Sequence, residues 1–568
     1  MPVDNAFSPA MTREITGPAA AADRIMAPLR YPVYRRIWLA SLISNLGLLI
    51  QGVGAAWAMT QMASSADMVA LVQTALMLPV MLVAIPAGAA ADMYDRRVVI
   101  ISALLLSLVG ASLLSALALL NLVSPTLLLL FTFIIGGGMA LFGPAWQASV
   151  SEQVPAEILP SAIALNSISF NIARSFGPAI GGIIVATAGA VAAFLTNAIL
   201  YLPLLAVLVR WRRVQEPPRL PPERMVRAII SGSRYVVHSP PIRTVLARTF
   251  LTGVAGGSVS ALMPLVARDL LGGGAQTYGV MLGMFGVGAV AGALNIATIR
   301  RLLSGESTIR LTASMMGLAI CVIALSHSTI LTGAALLVAG AAWMVAVTLF
   351  NIGIQLAIPR WVAGRALAGF QAAIAGGVAL GSWLWGHVAT GWGVDTALLA
   401  SGIAMALLSL LGFWLRMPEA ETSADEALEA RAEPEVNLKL TSRSGPIVIE
   451  IEYRVALDDA RSFYGVMQQM QLIRQRNGAY DWSLARDIAS PDIWTERFHC
   501  PTWLDYLRQR SRATGAERVV ELEAISFHQG PEPLRIRRRL ERPLGSVRWK
   551  DETPDRTSAS KLTPPTGI

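Results

Sequence analysis

A short charged motif follows one of the apolar runs of this sequence. It reads Gly88-Ala-Ala-Ala-Asp92-Met-Tyr-Asp95-Arg96-Arg97. Glycine lets two helices approach closely, and a carboxylate such as Asp92 is stabilised beside the N-terminus of a neighbouring helix. Two adjacent arginines have the charge to hold a loop at anionic lipid headgroups. The motif therefore indicates either a charged loop anchored at a membrane surface or a plain solvated basic loop.

Arg174 is a second candidate for specific chemistry, because it lies well inside an apolar run. An unpaired charge in lipid is costly, so this side chain needs a partner. The partner is either an anionic group of a bound molecule or one of two carboxylates in the preceding sequence, Asp92 and Glu152.

Small residues and a proline follow Arg174 in the same run. Glycines favour tight packing against another helix, and a proline inside a helix favours a kink. This packing set consists of Gly177, Pro178, Gly181 and Gly182.

Several kinds of chemistry have no motif in the sequence. There is no G-x-x-x-x-G-K-[ST] phosphate loop and the first lysine is Lys439, so ATP-driven transport is not expected. Cys321 and Cys500 are too few and too far apart for a disulfide framework. His499 and His528 do not have the spacing of metal ligands, and we expect neither a metal nor a cofactor.

The elements that must position these residues are membrane-spanning helices. Of the 568 residues, 54% are hydrophobic and 15% are charged, which is too apolar for an ordinary soluble protein. Apolar runs of roughly 20 residues, the length that crosses a bilayer, recur between Tyr34 and Arg416. Twelve spans are predicted, at residues 36–60, 68–91, 97–121, 125–150, 163–187, 189–211, 244–269, 277–300, 308–326, 328–354, 364–389 and 393–416.

The distribution of arginines orients these spans. The net charge of +9 comes from bases at the ends of apolar runs, and most of them fall in loops after even-numbered spans. The opposite loops at 64–67, 121–124 and 326–329 contain no lysine or arginine. Because basic loops stay in the cytosol, both termini are predicted to be cytosolic in a multi-pass protein of a bacterial inner membrane.

The predicted domain order follows from these spans and from shifts in composition. It is a cytosolic tail (1–33), a first six-helix half (34–211), a basic linker with a helix on the inner leaflet (212–243), a second six-helix half (244–416), an acidic tether (417–436), a soluble α+β domain (437–550) and a disordered tail (551–568).

The charged motif, placed between the second and third spans, resembles the loop signature G-x-x-x-D-[RK]-x-G-[RK]-[RK] of the major facilitator superfamily. Met93 and Asp95 replace its usual basic residue and glycine. The packing set, together with the stretch from Asn351 through Arg365, resembles the subgroup of enterobactin-type exporters and transmembrane secretion effectors. This resemblance implies an all-α fold of two six-helix halves over residues 30–416, with a cytosolic gate formed by Gly88, Asp92, Asp95, Arg96 and Arg97.

The resemblance also implies a substrate cavity near the membrane midplane, lined by the first, fourth, seventh and tenth spans. Isolated polar residues in membrane helices more often bond to a neighbouring helix, so each candidate has two interpretations. The candidates are Asn45, Gln51, Gln147, Arg174, Ser258, Trp343, Asn351 and Gln355.

In the region after residue 436, predicted strands and helices follow one another in the order of a small ferredoxin-like domain. Its predicted order is β-α-β-β-α-β, with strands near residues 447–455, 482–487, 493–499 and 534–539 and helices at 457–476 and 502–514. It resembles the dimeric α/β-barrel modules of antibiotic-biosynthesis monooxygenases, which implies ligand binding or dimerisation rather than catalysis.

The sequence and the resemblance together predict a transporter rather than an enzyme. We expect a secondary carrier that exports a siderophore-like or drug-like small molecule by alternating access. No carboxylate lies at the middle of a span, and His387 is the titratable alternative for a coupling proton. The competing interpretations are an uptake carrier of the same fold and a membrane-anchored enzyme or sensor whose C-terminal domain is the active part.

The orientation leads to a labelling prediction. In intact cells, a membrane-impermeant maleimide should react with a cysteine at Ser65 or Ser124, because the arginine-poor loops face outward. A cysteine at Ser304, in a loop on the arginine-rich side, should react only after the membrane is opened. Protection of the first two positions in intact cells would contradict this topology.

Overall fold

The computed structural model describes residues 26–63, 65–211, 225–358, 363–417 and 436–541, except positions 439, 442, 512–514 and 531. The predicted tail, most of the acidic tether and the last residues therefore lie outside the described part. The contacts divide the chain into two compact units. One comprises residues 1–222, 250–347 and 371–410, and the other comprises 223–249, 348–370 and 411–568.

Twelve α-helices lie in the described part of the apolar region. They are α1 (Pro32–Met62), α2 (Ala66–Met93), α3 (Arg96–Leu119), α4 (Pro125–Ser149), α5 (Leu159–Arg210), α6 (Met225–Val237), α7 (Pro240–Leu265), α8 (Ala275–Leu302), α9 (Gly305–Leu325), α10 (Thr329–Ala357), α11 (Ala363–Trp392) and α12 (Val394–Leu407). Among the described residues, all of these except α6 belong to segments long and apolar enough to cross a membrane, which makes eleven. The segment of α12 includes the 3₁₀ helix that continues it to Phe413.

Helix α5 accounts for two membrane crossings. Gly189 interrupts it with φ +78°, a conformation that glycine adopts without strain. Residues of α5 before Gly189 contact successively later positions of α1, and residues after Gly189 contact successively earlier ones. The chain therefore reverses its direction at Gly189. In chain order the contacts join Gly177 to Leu49, Gly181 to Val53, Ala193 to Gly54 and Asn197 to Gly47. The described chain therefore crosses twelve times, and the predicted fold class is confirmed.

Polar side chains begin several of these helices. Asp95 accepts a hydrogen bond from the Arg97 amide at 2.9 Å at the start of α3. Ser124 and Ser304 cap α4 and α9 in the same way. Such caps satisfy amides that have no partner inside the helix, and they place the helix ends at the polar loops.

The linker helix α6 packs against the C-terminal domain. The ring of Tyr235 is buried beneath the Arg476 guanidinium, whose Cζ lies 5.8 Å from the ring centroid. Burial raises the pKa of Tyr235 to about 12. Ile230 and Val237 remain exposed, and they form the face that the expected contact with the inner leaflet would use. Arg224 and the Arg227 side chain lie outside the described residues.

The C-terminal domain is a four-stranded antiparallel sheet with helices. Its elements are β1 (Ile447–Arg454), α13 (Ala460–Arg476), β2 (Tyr480–Arg486), β3 (Ile493–Cys500), α14 (Trp503–Ser511), α15 (Gly515–Ser526) and β4 (Arg535–Leu540). The strand order β2-β3-β1-β4 confirms the ferredoxin-like prediction. The sequence reasoning missed α15, since it assigned only one helix between β3 and β4.

The core of this domain combines apolar side chains with a buried ion pair. Phe463, Met467 and Met470 of α13 are fully buried. Glu496 of β3 is also fully buried, and Arg474 Nε donates to it at 2.9 Å. A buried pair of this kind stabilises the domain mainly because removing one partner leaves an uncompensated charge.

Cys500 has a predictable reactivity. Burial raises the pKa of its thiol to about 12. At pH 8 only about one thiol in ten thousand is then the reactive thiolate. In a Cys321→Ser background, iodoacetamide at pH 8 should leave Cys500 unmodified until the protein is denatured. A cysteine at the exposed Ala489 supplies the control, and equal alkylation rates at the two positions would refute the prediction.

Candidate functional site

The charged motif lies at the start of α3 and holds helix ends together. Arg96 Nη1 donates to Glu152 Oε1 at 2.8 Å and to the Ala148 carbonyl at 2.9 Å, so it binds the end of α4. Arg97 Nε donates to the Leu208 carbonyl at 2.8 Å, at the end of α5. Both guanidinium groups therefore neutralise helix C-termini, where cations are favoured, rather than pointing to lipid headgroups as expected.

The second half has a comparable contact. Arg310, near the start of α9, donates from Nε to the Ser409 carbonyl at 3.1 Å, just beyond α12. The third and ninth membrane crossings thus each carry an arginine that holds the last crossing of its own half. Gly88 is buried within α2, and the Asp92 side chain lies outside the described residues.

The two halves meet closely at the packing set of α5. A Cβ placed on Gly182 would lie 2.7 Å from the Ala275 carbonyl oxygen and 2.8 Å from Gly279 Cα, both on α8. Only glycine fits there, because those neighbours are backbone atoms. Gly177 and Gly181 instead face α1, next to Leu49 and Ile50. Pro178 is buried in the same helix.

These contacts close one end of the bundle, which we call the arginine-poor end. It is the end at which α1 stops and α2 starts, around residues 63–65. Arg268 Nη1 donates to the Thr60 carbonyl at 2.8 Å, and the Asp67 amide donates to Thr390 Oγ1 at 2.9 Å. Arg268, an arginine at this otherwise arginine-poor end, thus joins the two halves.

Arg174 lies halfway along the first arm of α5, at the same interface. Gly286 of α8 packs directly on the Arg174 backbone, with space for no side chain between them. The guanidinium Cζ lies 5.5 Å from the centroid of the Phe285 ring, a cation–π distance. Glu152, one of its two expected partners, is instead bonded to Arg96. Among the described residues, no carboxylate lies within 4.0 Å of Arg174.

Two of the cavity candidates serve as bridges between helices. Gln51 of α1 is buried and accepts a hydrogen bond from Asn197 Nδ2 of α5. Ser258 of α7 is buried and bonded to Ser401 of α12. Each such bond contributes about 0.6 kcal/mol in a membrane, so these residues stabilise packing within a half.

The remaining candidates are more accessible. Asn45 is half-buried, Gln147 is exposed, and Trp343 packs its ring on Gly256 of α7. Asn351 and Gln355, which belong to the other compact unit, are bonded to each other one helical turn apart. Sequence reasoning missed Arg248, which is buried and donates to the Leu415 carbonyl at 3.0 Å. Its position near a span boundary was the available signal.

The histidines have ordinary surroundings. His387 is exposed and stacks on Trp383, with ring centroids 6.3 Å apart. In the C-terminal domain, His528 Nδ1 accepts from the Arg454 amide at 3.0 Å, and His499 Nε2 lies 3.2 Å from Glu541. Across the described ranges, no group of three or more His, Cys, Asp or Glu residues is arranged to hold a metal ion.

Comparison with known proteins decides the family. A family model described as "Transmembrane secretion effector" matches residues 24–544. The chain belongs to this family of major facilitator transporters. The predicted relationship is therefore confirmed, whereas the resemblance of the C-terminal domain to dimeric α/β-barrel modules stays a prediction.

Curated relatives and solved structures agree with this family. The chain is 26% identical to the multidrug efflux pump Tap of Mycolicibacterium fortuitum over 389 residues, which are 67% of this chain and 94% of that protein. It is 26% identical to the enterobactin exporter EntS of Escherichia coli O1:K1 / APEC over 393 residues, 67% and 91% of the two chains. The crystal structure of a bacterial homolog of the human lysosomal transporter Spinster, inward-facing and unoccupied, has a TM-score of 0.55 at 12% identity and covers 68% of this chain and 97% of its own. That likeness shows the shared fold.

The contact between α5 and α8 in this transporter leads to a testable prediction. Gly182→Ala should destabilise the closed arginine-poor end by about 1–3 kcal/mol, because the added methyl group overlaps backbone atoms. A cysteine at the buried Thr60 should then react faster with a maleimide applied to that end. Gly52→Ala is the matched control, since its Cβ meets nothing within 4 Å. Unchanged labelling in Gly182→Ala would show that this contact does not hold the end closed.

Proposed function

We propose that this transporter is a secondary carrier of the bacterial inner membrane that exports an anionic molecule of siderophore-like or drug-like kind. The observation that carries the proposal is Arg174, a cation halfway along the first arm of α5, between the two halves, with an aromatic ring as its described partner. A charge at the centre of a membrane helix costs about 2.5–3.5 kcal/mol, so it is retained where it has a function.

The direction of transport is supported by orientation and by relatives. Arginines concentrate on the side that carries both termini, which favours a cytosolic location for that side. The arginine-poor end, closed by Gly182 and Gly279, would then face the periplasm. Two relatives are named as an efflux pump and an exporter, which favours loading from the cytosol.

Arg174 supplies the substrate contact in this mechanism. In the absence of substrate the guanidinium is held by the quadrupole of the Phe285 ring, a weaker interaction than a charge-assisted hydrogen bond. An anionic substrate entering from the cytosolic side replaces the ring as its partner. The substrate thereby interacts with both sides of the α5–α8 interface, which must separate before the periplasmic end opens.

The gate motif has a mechanical part in the same cycle. Arg96 and Arg97 tie the start of α3 to the ends of α4 and α5, all within the first half. Arg310 ties α9 to the end of the second half. Each half can therefore rotate as a unit, and alternating access needs such rocking of one half against the other.

Transport into membrane vesicles tests this proposal. Inside-out vesicles should accumulate a radiolabelled anionic catecholate siderophore, and right-side-out vesicles should not. Arg174→Gln should reduce the initial rate about tenfold or more, the effect of losing one charged hydrogen bond, and Arg174→Lys should restore part of it. Arg300→Gln is the matched control, because Arg300 is exposed at the arginine-rich end of α8.

The outcomes separate the proposal from its main rival. Accumulation confined to right-side-out vesicles would identify an uptake carrier on the same fold. Equal rates in wild-type and Arg174→Gln vesicles would remove the anion-binding role of Arg174. Faster accumulation of a cationic dye than of the siderophore would contradict the proposed substrate charge.

A further inference from the structure

A cavity of about 70 Å³ lies inside the C-terminal domain. Helices α13, α14 and α15 and strands β1, β3 and β4 all contribute to its lining. Holding one water molecule takes about 10–15 Å³ of such cavity space, so the cavity has room for more than one water or for a small polar group. Nothing in the transport mechanism above uses it.

Two buried amides have unsatisfied atoms at this cavity. Asn477 and Gln509 both line it, and each is 7% exposed. Asn477 donates to Ile473 and Glu517, but its Oδ1 has no partner among the described residues. Gln509 accepts from the Cys500 thiol at 3.1 Å, and its Nε2 likewise has none. A buried polar atom without a partner is costly, so an occupant that bonds to both would stabilise the domain.

Tyr506 adds a further donor to the same cavity. Arg538 Nε donates to its Oη at 2.7 Å, and Arg510 Nη1 donates to the same oxygen at 3.4 Å. A phenol oxygen that accepts two hydrogen bonds still has its own proton to donate. Tyr506 is 5% exposed, so water outside the domain does not take that proton. The hydroxyl therefore needs an acceptor inside the cavity.

The charges around the cavity leave it basic. Its carboxylates have cationic partners, since Arg476 donates to Glu517 at 2.7 Å and Arg518 to Glu521 at 2.9 Å. Arg474 is paired with the buried Glu496. Arg538, by contrast, has no carboxylate within 4.0 Å in the described part of the chain, and its Nε donates instead to the neutral Tyr506.

We propose that this cavity binds a small oxyanion, the carboxylate or phosphate group of a soluble ligand. Gln509 Nε2, the Tyr506 hydroxyl and the Arg538 guanidinium are donors, and an oxyanion accepts from all three. Asn477 Oδ1 then accepts from a hydroxyl or amine on the same ligand. Bonds from charged donors in a site shielded from water are stronger than those at a surface.

Calorimetric titration of the full-length protein in detergent tests the proposal, with sodium acetate and inorganic phosphate as separate probes in a chloride buffer. At least one probe should bind, and Arg538→Gln should weaken that binding about tenfold or more. Tyr506→Phe, which removes only the hydroxyl group, should weaken it several-fold. Arg537→Gln is the matched control, because Arg537 is next on the same strand but does not line the cavity.

The two probes identify the source of the oxyanion. Binding of acetate indicates a carboxylate ligand, and binding of phosphate alone indicates a phosphate-bearing one; both support the proposal if the Arg538 variant is impaired. The proposal is overturned if neither anion binds at about 10 mM, which would leave a cavity that holds water only. Equal affinity in wild type and Arg538→Gln would overturn it as well. Resistance of Cys500 to alkylation shows that each variant is folded.

Discussion

The close approach of α5 and α8 at Gly182 and Gly279 is the contact on which the membrane region depends. Lipid offers no hydrophobic driving force for association between helices, so the two halves are held by van der Waals packing of backbone on backbone. That packing needs residues without side chains, and here each glycine meets the other's Cα. The same proximity explains why Arg174, two helical turns away on α5, is enclosed between the halves rather than exposed to lipid.

Much of the membrane fold was predictable because lipid imposes a simple rule on sequence. A crossing helix must satisfy its backbone internally and be apolar for roughly 20 residues, so the spans are visible in composition alone. Even the reversal at Gly189 was foreseen, as the boundary between two predicted spans. The alternation of β1 and the apolar face of α13 predicted the C-terminal sheet for a related reason, since one side of each element is buried.

The details of the site were less accessible, because they depend on which helix lies next to which. Gln51 and Ser258 were candidates for substrate contact, and only the positions of Asn197 and Ser401 show that they are bonded within a half. Arg97 was expected at lipid headgroups, yet the end of α5 supplies carbonyls within reach. The unsatisfied atoms of Asn477 and Gln509 have no sequence signature either, because the residue type does not show whether an amide has hydrogen-bond partners in the folded protein.

The helix α6 joins the two halves of the carrier and also packs, through Tyr235, on the C-terminal domain. A rearrangement of the halves that moves this helix must therefore either move the domain with it or separate Tyr235 from Arg476. The strength of the contact between Tyr235 and Arg476 would then contribute to the free energy of such a rearrangement. A bound molecule or a second copy that strengthens this contact would slow any rearrangement that has to break it.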